Sequence, residues 1–96
     1  MNEVVYKPND KDAFIIEENG KRIAEMIIGI SGNEMSVYHT EVVKELKGKG
    51  IGSRMVNVMA EHARNHNLSV IPLCPFVKEH FIKNREEYED VWKKDM

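Results

Sequence analysis

The sequence lacks several features that would assign it to a specialised class of protein. It contains a single cysteine, so no disulfide can form within one chain, and we expect a reducing compartment, the cytoplasm. It has no apolar run long enough to cross a bilayer and no pattern typical of a signal peptide, so we expect no membrane partner. Its net charge of -2 argues against a general nucleic-acid binder.

Internal repeats, low-complexity tracts and linkers are also missing, so residues 1–96 are expected to form a single domain. The chain is 42% hydrophobic, which is enough for a globular core of modest size. Its charged residues make up 31%, which is high, and they are mixed in sign.

The first half of the chain predicts an antiparallel meander of about four strands. Short runs rich in β-branched and aromatic residues are separated by turn signals, among them Asn19-Gly20, which is typical of a two-residue hairpin. A further turn is predicted around Pro8, over residues 7–10. The predicted strands cover residues 4–6, 13–17, 22–30 and 35–43.

A helix with a period of 3.6 residues is predicted from Gly50 or Gly52 to about Asn67, which can adopt a left-handed cap. Its apolar stripe is predicted to contain Ile51, Met55, Val58, Met59, His62 and Ala63. His62 and His66 are four residues apart, but Ala63 stands where a zinc-protease motif requires glutamate, and no third ligand is evident. We therefore expect no metal site.

A fifth strand is predicted at residues 68–74. It follows a strand and a helix, so it should lie parallel to the fourth strand through a right-handed crossover. Pro72 cannot donate a ladder hydrogen bond, which predicts that the two strands part there and leave a slot with Cys74 at its mouth. A short helix is expected over residues 76–84, and the tail from Arg85 to Met96 is compatible with a helix or an extended segment.

The loop between the fourth strand and the helix has glycine at every second position: Gly48, Gly50 and Gly52. Glycines permit close approach of a ligand to the backbone, and a helix N-terminus offers free N–H groups to a phosphate. The loop predicts a pyrophosphate site, and the alternative is an ordinary strand-to-helix turn. It is not a P-loop, because no Gly-x-x-x-x-Gly-Lys-Ser/Thr string occurs. It is not a dinucleotide fingerprint, because Ser53 replaces the third glycine and residues 68–76, at the end of the next strand, contain no acid.

The fourth strand carries two candidates for a general base. Strict alternation places Val37, His39, Glu41 and Val43 on one face, and Ser36, Tyr38, Thr40 and Val42 on the other. His39 and Glu41 could therefore act as neighbours on the strand that leads into the glycine-rich loop. The alternative interpretation is a solvated sheet face.

This order of elements resembles the GNAT acetyltransferase superfamily, in which the phosphate loop reads Gln/Arg-x-x-Gly-x-Gly/Ala. Residues 47–52, Lys-Gly-Lys-Gly-Ile-Gly, fit that pattern with Lys47 in place of Gln or Arg, which keeps the charge and loses the planar guanidinium. The chain is also similar to a branch of about a hundred residues that carries a His-Thr-x-Val string and a later cysteine, here residues 39–42 and Cys74.

The resemblance implies an α+β fold that binds acetyl-CoA as the acyl donor. The loop would hold the pyrophosphate, and the pantetheine arm would pair with the backbone of Val42 and Val43, as an added strand does. The thioester would point toward His39, Glu41 and Cys74. The residues that the resemblance assigns to the donor are Val42, Val43, Lys47, Gly48, Lys49, Gly50, Ile51, Gly52, Ser53 and Arg54.

The implied reaction moves an acetyl group to a small-molecule or peptide amine, whose nitrogen must lose a proton before it attacks. Histidine has a reference pKa near ~6.5 and suits this role, so His39 is the first candidate; Glu41 would need help or a bridging water. Cys74 could protonate the leaving thiolate, accept the acetyl group itself, or only line the slot.

Two other functions remain open: a non-catalytic acyl-CoA sensor, and a small interaction module whose tail binds a partner protein. Binding of acetyl-CoA without product would indicate the sensor, and a lack of any CoA binding would indicate the module. In either case we expect a monomer or a weak homodimer.

Overall fold

The computed structural model of the protein describes residues 3–8 and 12–93. Five strands form one mixed sheet in the order β1-β2-β3-β4-β5, with antiparallel pairing from β1 to β4 and parallel pairing of β4 with β5. The strands are β1 (Val5–Lys7), β2 (Ala13–Glu18), β3 (Lys21–Ser31), β4 (Glu34–Val42) and β5 (Ser69–Pro72). The helices are α1 (Ile51–Asn65), α2 (Pro75–Lys83) and α3 (Arg85–Tyr88). The predicted α+β architecture is confirmed.

The β2–β3 hairpin forms where the Asn-Gly pair predicted it. Asn19 and Gly20 both have positive φ, 52° and 78°, and Glu18 pairs with Lys21 across the turn. Two consecutive left-handed residues give a turn whose twist matches that of the flanking strands. Residues 9 and 10 of the turn predicted after the first strand lie outside the described residues.

A bulge in β4 corrects the predicted assignment of its two faces. Val37 pairs with Ile28 and His39 pairs with Ile27, so Tyr38 has no partner of its own on β3. One extra residue reverses the alternation, because every later side chain moves to the other face. Val37 is buried on the helix-covered face, and Thr40 and Val42 lie on the same face, where they pair with the buried Met26 and Ala24. His39 and Glu41 share the opposite face.

Helix α1 packs on the sheet with an apolar stripe that differs partly from the prediction. The buried residues are Ile51, Met55, Val56, Met59, Ala60 and Ala63. Val58 and His62 are only partly buried, while Val56 and Ala60 were missed; the covered face is therefore turned toward these two residues. The helix ends as expected, since Asn67 has φ 55° and Leu68 N–H donates to the Ala63 carbonyl, a Schellman cap.

The C-terminal segment contains both of the structures left open by the sequence. It forms α3 and then an extended stretch in which Trp92 makes a parallel bridge with Val70 of β5. Tyr88 and Val91 are buried, and the Arg64 guanidinium of α1 donates to the Asp90 carboxylate and the Glu87 carbonyl. The tail therefore covers the free edge of β5 as far as Lys93, and residues 94–96 lie outside the described part.

The imidazole of His62 joins β1 to α1 and predicts a pH dependence of stability. Its ring lies 4.6 Å from that of Tyr6, 5.4 Å from that of Phe14 and 4.1 Å from the stacked ring of His66. Burial and, less strongly, the charge of His66 lower the pKa of His62 below its ordinary value. The unfolded chain therefore binds a proton at His62 more tightly than the folded protein does. The contribution of His62 to the free energy of unfolding is complete above about pH 6.5 and declines as the pH falls through the lower native pKa.

We therefore expect the thermal midpoint to fall between pH 7 and pH 5, and to fall less in a His62→Phe variant, which keeps the ring contacts without the charge. Calorimetry over this range measures both slopes. His66→Gln removes the neighbouring charge and should also flatten the curve. Equal slopes in all three proteins would contradict a role for this histidine pair.

Candidate functional site

The glycine-rich loop leads into α1, whose N-terminus has no side-chain cap. After a short 3₁₀ turn, Lys44–Leu46, the chain passes through Gly48 and Gly50, whose φ angles are 83° and 79°. Gly50 is the N-cap residue, and the first intrahelical bond runs from Arg54 N–H to its carbonyl. The N–H groups of residues 51–53 thus have no acceptor within the helix, and no acidic residue lies in the first turn. This end of α1 is suited to an anion.

A cleft of about 490 Å³ opens in front of these N–H groups. It is lined by Thr40, Val42, Leu46, Lys47, Gly48, Gly50, Ile51, Gly52, Ser53 and Phe76. Seven of the predicted donor-binding residues are among them. The other three, Val43, Lys49 and Arg54, do not line this cleft; Val43 instead lines a second hollow of about 630 Å³ that also contains Glu25 and Glu41.

The three glycines of the loop have different physical reasons to be glycine. Gly48 and Gly50 have left-handed backbone conformations, and a Cβ at either position would meet no atom within 4 Å. Gly52 is helical, but a Cβ there would lie 2.6 Å from Cζ of Phe76. Sequence reasoning missed this contact, and the only available signal was the position of Phe76 two residues after the cysteine.

The cleft continues along the part of β4 that has lost its parallel neighbour. Pairing between β4 and β5 ends at Val37 and Pro72, as predicted from the proline, and β4 continues to Val42. The last backbone bond across the junction runs from Cys74 N–H to the Val37 carbonyl at 2.9 Å. Beyond it, within the described chain, the β5 side of residues 38–42 has no adjacent strand.

Cys74 lies at the inner end of this region and not at its mouth, because only 4% of its surface is exposed. It caps α2, and its Sγ donates to Oγ1 of Thr40 at 3.5 Å. Thr40 also lines the cleft, so the thiol contacts a residue of the cleft wall. Sequence reasoning missed Thr40, because strict alternation had placed it on the face opposite Val37, His39 and Glu41.

His39 and Glu41 form a pair of their own, with Nε2 and Oε1 3.8 Å apart and more than half of each side chain exposed. They lie on the face opposite Thr40, so the bulge separates them from Cys74. The structure therefore does not bring the three predicted catalytic residues together on one side of the sheet. His39 and Glu41 lie on one face of β4, and Cys74 contacts Thr40 of the other face.

Comparisons with known proteins bear on the family and the fold of the chain. The model of the GCN5-related N-acetyltransferases matches residues 13–91. The chain belongs to this family. The solution structure of a GCN5-like protein from Staphylococcus aureus, named as a candidate N-acetyltransferase, is 33% identical with a TM-score of 0.67, and the match covers 97% of this chain and 91% of that one.

Two more distant neighbours share the fold of this GCN5-related protein. A ribosomal-protein-alanine N-acetyltransferase from Brucella melitensis biovar Abortus 2308 is 22% identical with a TM-score of 0.62 over 90% of this chain and 64% of that chain. A nourseothricin acetyltransferase is 22% identical with a TM-score of 0.54 over 69% of this chain and 42% of that chain.

Two observations concern metal binding and membrane spanning. Among residues 3–8 and 12–93, no three His, Cys, Asp or Glu side chains are grouped closely enough to hold a metal ion. The His62–His66 pair instead belongs to the aromatic contact with β1 described above. In the same described part of the chain, no helix is both long and apolar enough to span a membrane.

Proposed function

We propose that this protein binds acetyl-CoA and transfers its acetyl group to an amine. The observation that carries the proposal is the uncapped start of α1, which opens into a cleft that continues along an unpaired strand edge. A diphosphate fits the first part of such a site, and an extended amide-containing arm fits the second. Family membership supports this ligand, because acetyl-CoA is the donor that GCN5-related acetyltransferases use.

The residues of the cleft can be matched to parts of acetyl-CoA, which acts as a substrate. The N–H groups of residues 51–53 would hold the pyrophosphate, and Lys47 at the cleft wall would add positive charge. The backbone of Val42 and Val43 would pair with the pantetheine amides. Lys49 and Arg54 would contribute long-range attraction only, since they do not line the cleft. The left-handed glycines leave open space for the approach of the donor.

The thioester would then lie in the gap between β4 and β5, where it can be reached from both faces. We propose that the amine approaches from the face of His39 and Glu41. His39 would remove the ammonium proton, and Glu41 would orient the imidazole or act through water. Attack of the amine forms the C–N bond and breaks the C–S bond, so the electron pair leaves on the CoA sulfur. On the inner face, Cys74 would protonate that sulfur, and the second proton that the nitrogen loses as the amide forms would restore the Cys74 thiol.

A second route uses the same residues in two steps. The Cys74 thiolate would attack the thioester, the CoA thiolate would leave, and the amine would then attack the acetyl-cysteine. The contact of Cys74 with Thr40, which lines the cleft, supports both routes. Mass spectrometry of the protein incubated with acetyl-CoA distinguishes them, because only the second route leaves an acetyl group on Cys74.

We expect His39→Ala to lower turnover by about 10²–10⁴-fold while acetyl-CoA still binds, because the variant lacks the general base. Cys74→Ala should abolish turnover if the cysteine carries the acetyl group and lower it if the cysteine only protonates the leaving thiolate. Thiol release over a panel of polyamines, aminoglycosides and lysine peptides measures both. Full activity in both variants would transfer the role of the base to Glu41 acting through water.

The separation of His39 and Glu41 from Cys74 also favours a second candidate, a sensor that binds acyl-CoA without turnover. Calorimetric titration with acetyl-CoA, followed by the thiol-release panel, separates the candidates. Binding with release supports the enzyme, and binding without release across the panel supports the sensor. A lack of any binding would contradict both and favour an interaction module.

We expect a monomer or weak homodimer. We expect it in the reducing cytoplasm, since Cys74 is a free, buried thiol.

A further inference from the structure

The ring of Phe76 occupies a place in the cleft that the proposed function does not explain. It belongs to the first turn of α2, immediately after Cys74 and Pro75, and 45% of its surface is exposed although the ring is large and apolar. One side of the ring rests on α1, where a Cβ at Gly52 would lie 2.6 Å from Cζ and 2.9 Å from Cε2. The ring therefore stands against the start of α1, with no room for a side chain between them.

The backbone on either side of Phe76 constrains the position of the ring. Cys74 is the N-cap residue of α2 and Pro75 fixes φ in its first turn, which constrains the backbone that carries the thiol and the ring. The thiol contacts Thr40 at the inner end, while the ring contacts Gly52 at the phosphate end. Phe76 lines the cleft itself, with Val42 and Leu46 among the other apolar lining residues.

We propose that Phe76 is the residue that selects and positions the middle of the acyl donor. This inference rests on the proposed function and adds the part of the donor that is recognised. Phe76, Thr40 and the residues of the phosphate end line one cleft, so a chain that fills the cleft from the phosphate end to Thr40 also meets the ring. The carbon skeleton of a flexible pantetheine-like arm packs against an aromatic ring, whereas the amides of the arm pair with β4. Gly52 is then required to seat the ring, and Gly48 and Gly50 to shape the phosphate loop.

The test compares two donors that share the arm and differ in the phosphates, acetyl-CoA and S-acetylpantetheine. Phe76→Ala should raise the dissociation constant of both by about tenfold, because the lost contact is with the arm that both contain. Phe76→Tyr keeps the ring and should restore binding of both. A matched control is Ile82→Ala, which truncates another exposed apolar residue of α2 that does not line the cleft.

A second pair of variants tests the seat of the ring. Gly52→Ala forces the ring to move and should weaken both donors, while the double variant Gly52→Ala/Phe76→Ala should bind no more weakly than Phe76→Ala alone. If wild-type protein binds acetyl-CoA and Phe76→Ala binds both donors equally well, the inference about Phe76 is wrong and the proposed function stands. If wild-type protein binds neither donor, the proposed function itself fails.

Discussion

Replacing Gly50 by valine is expected to abolish the binding of acetyl-CoA while the protein remains folded. Gly50 caps α1 with φ 79°, a backbone conformation that costs a side-chain-bearing residue about 1–2 kcal/mol and a β-branched one more. In the variant, we expect the backbone to move and relieve this strain. The N–H groups of residues 51–53 would then no longer point in a common direction. Calorimetric titration of acetyl-CoA measures the loss.

A matched control for Gly50→Val exists in the β2–β3 hairpin. Gly20 has nearly the same φ, 78°, and a Cβ there also meets no atom within 4 Å, but the hairpin does not line the cleft. Gly20→Val should therefore lower the thermal midpoint by a similar amount and leave the affinity for acetyl-CoA unchanged. Unchanged affinity in Gly50→Val would disprove the phosphate site, whereas equal losses in both variants would indicate a general effect of strain.

Replacing Met59 by aspartate is expected to unfold the protein at ordinary temperature. Met59 is fully buried in the core between α1 and the sheet, and that core shows no buried charged side chain among the described residues. A buried carboxylate without a partner costs several kcal/mol, either as a charge or through its forced protonation. This is comparable with the whole stability of a small domain, about 5–15 kcal/mol. Circular dichroism at 222 nm and thermal unfolding measure the effect.

The control for Met59→Asp has to be chosen from the structure. Asn57 lies on the opposite face of α1, but its side chain accepts a hydrogen bond from the hydroxyl of the buried Tyr88, so its replacement would also affect stability. Asn65 is exposed at the end of the same helix and is the better position. Asn65→Asp should shift the midpoint by only a few degrees, through the unfavourable helix dipole. Equal midpoints for the two variants would contradict the observed orientation of α1.

Local chemistry explains the features that the sequence predicted correctly. Asn19-Gly20 specifies a hairpin because both residues tolerate positive φ, and Asn67 ends α1 for the same reason. Pro72 ends the parallel pairing because it cannot donate to the ladder. The glycine-rich loop marks the start of α1, since glycine favours the left-handed cap that Gly50 provides. Each of these signals acts within a few residues of the chain, so no knowledge of the fold is needed to interpret it.

Tertiary structure decided which of the candidate residues share a site. The bulge at Tyr38 depends on how β4 pairs with β3, and the residue pattern along one strand does not determine this register. The bulge places Thr40 beside Cys74, and it places His39 on the opposite face. The contact of Phe76 with Gly52 joins residues far apart in sequence. It exists only because α1 and α2 pack side by side on the sheet, and packing of this kind is a property of the whole fold.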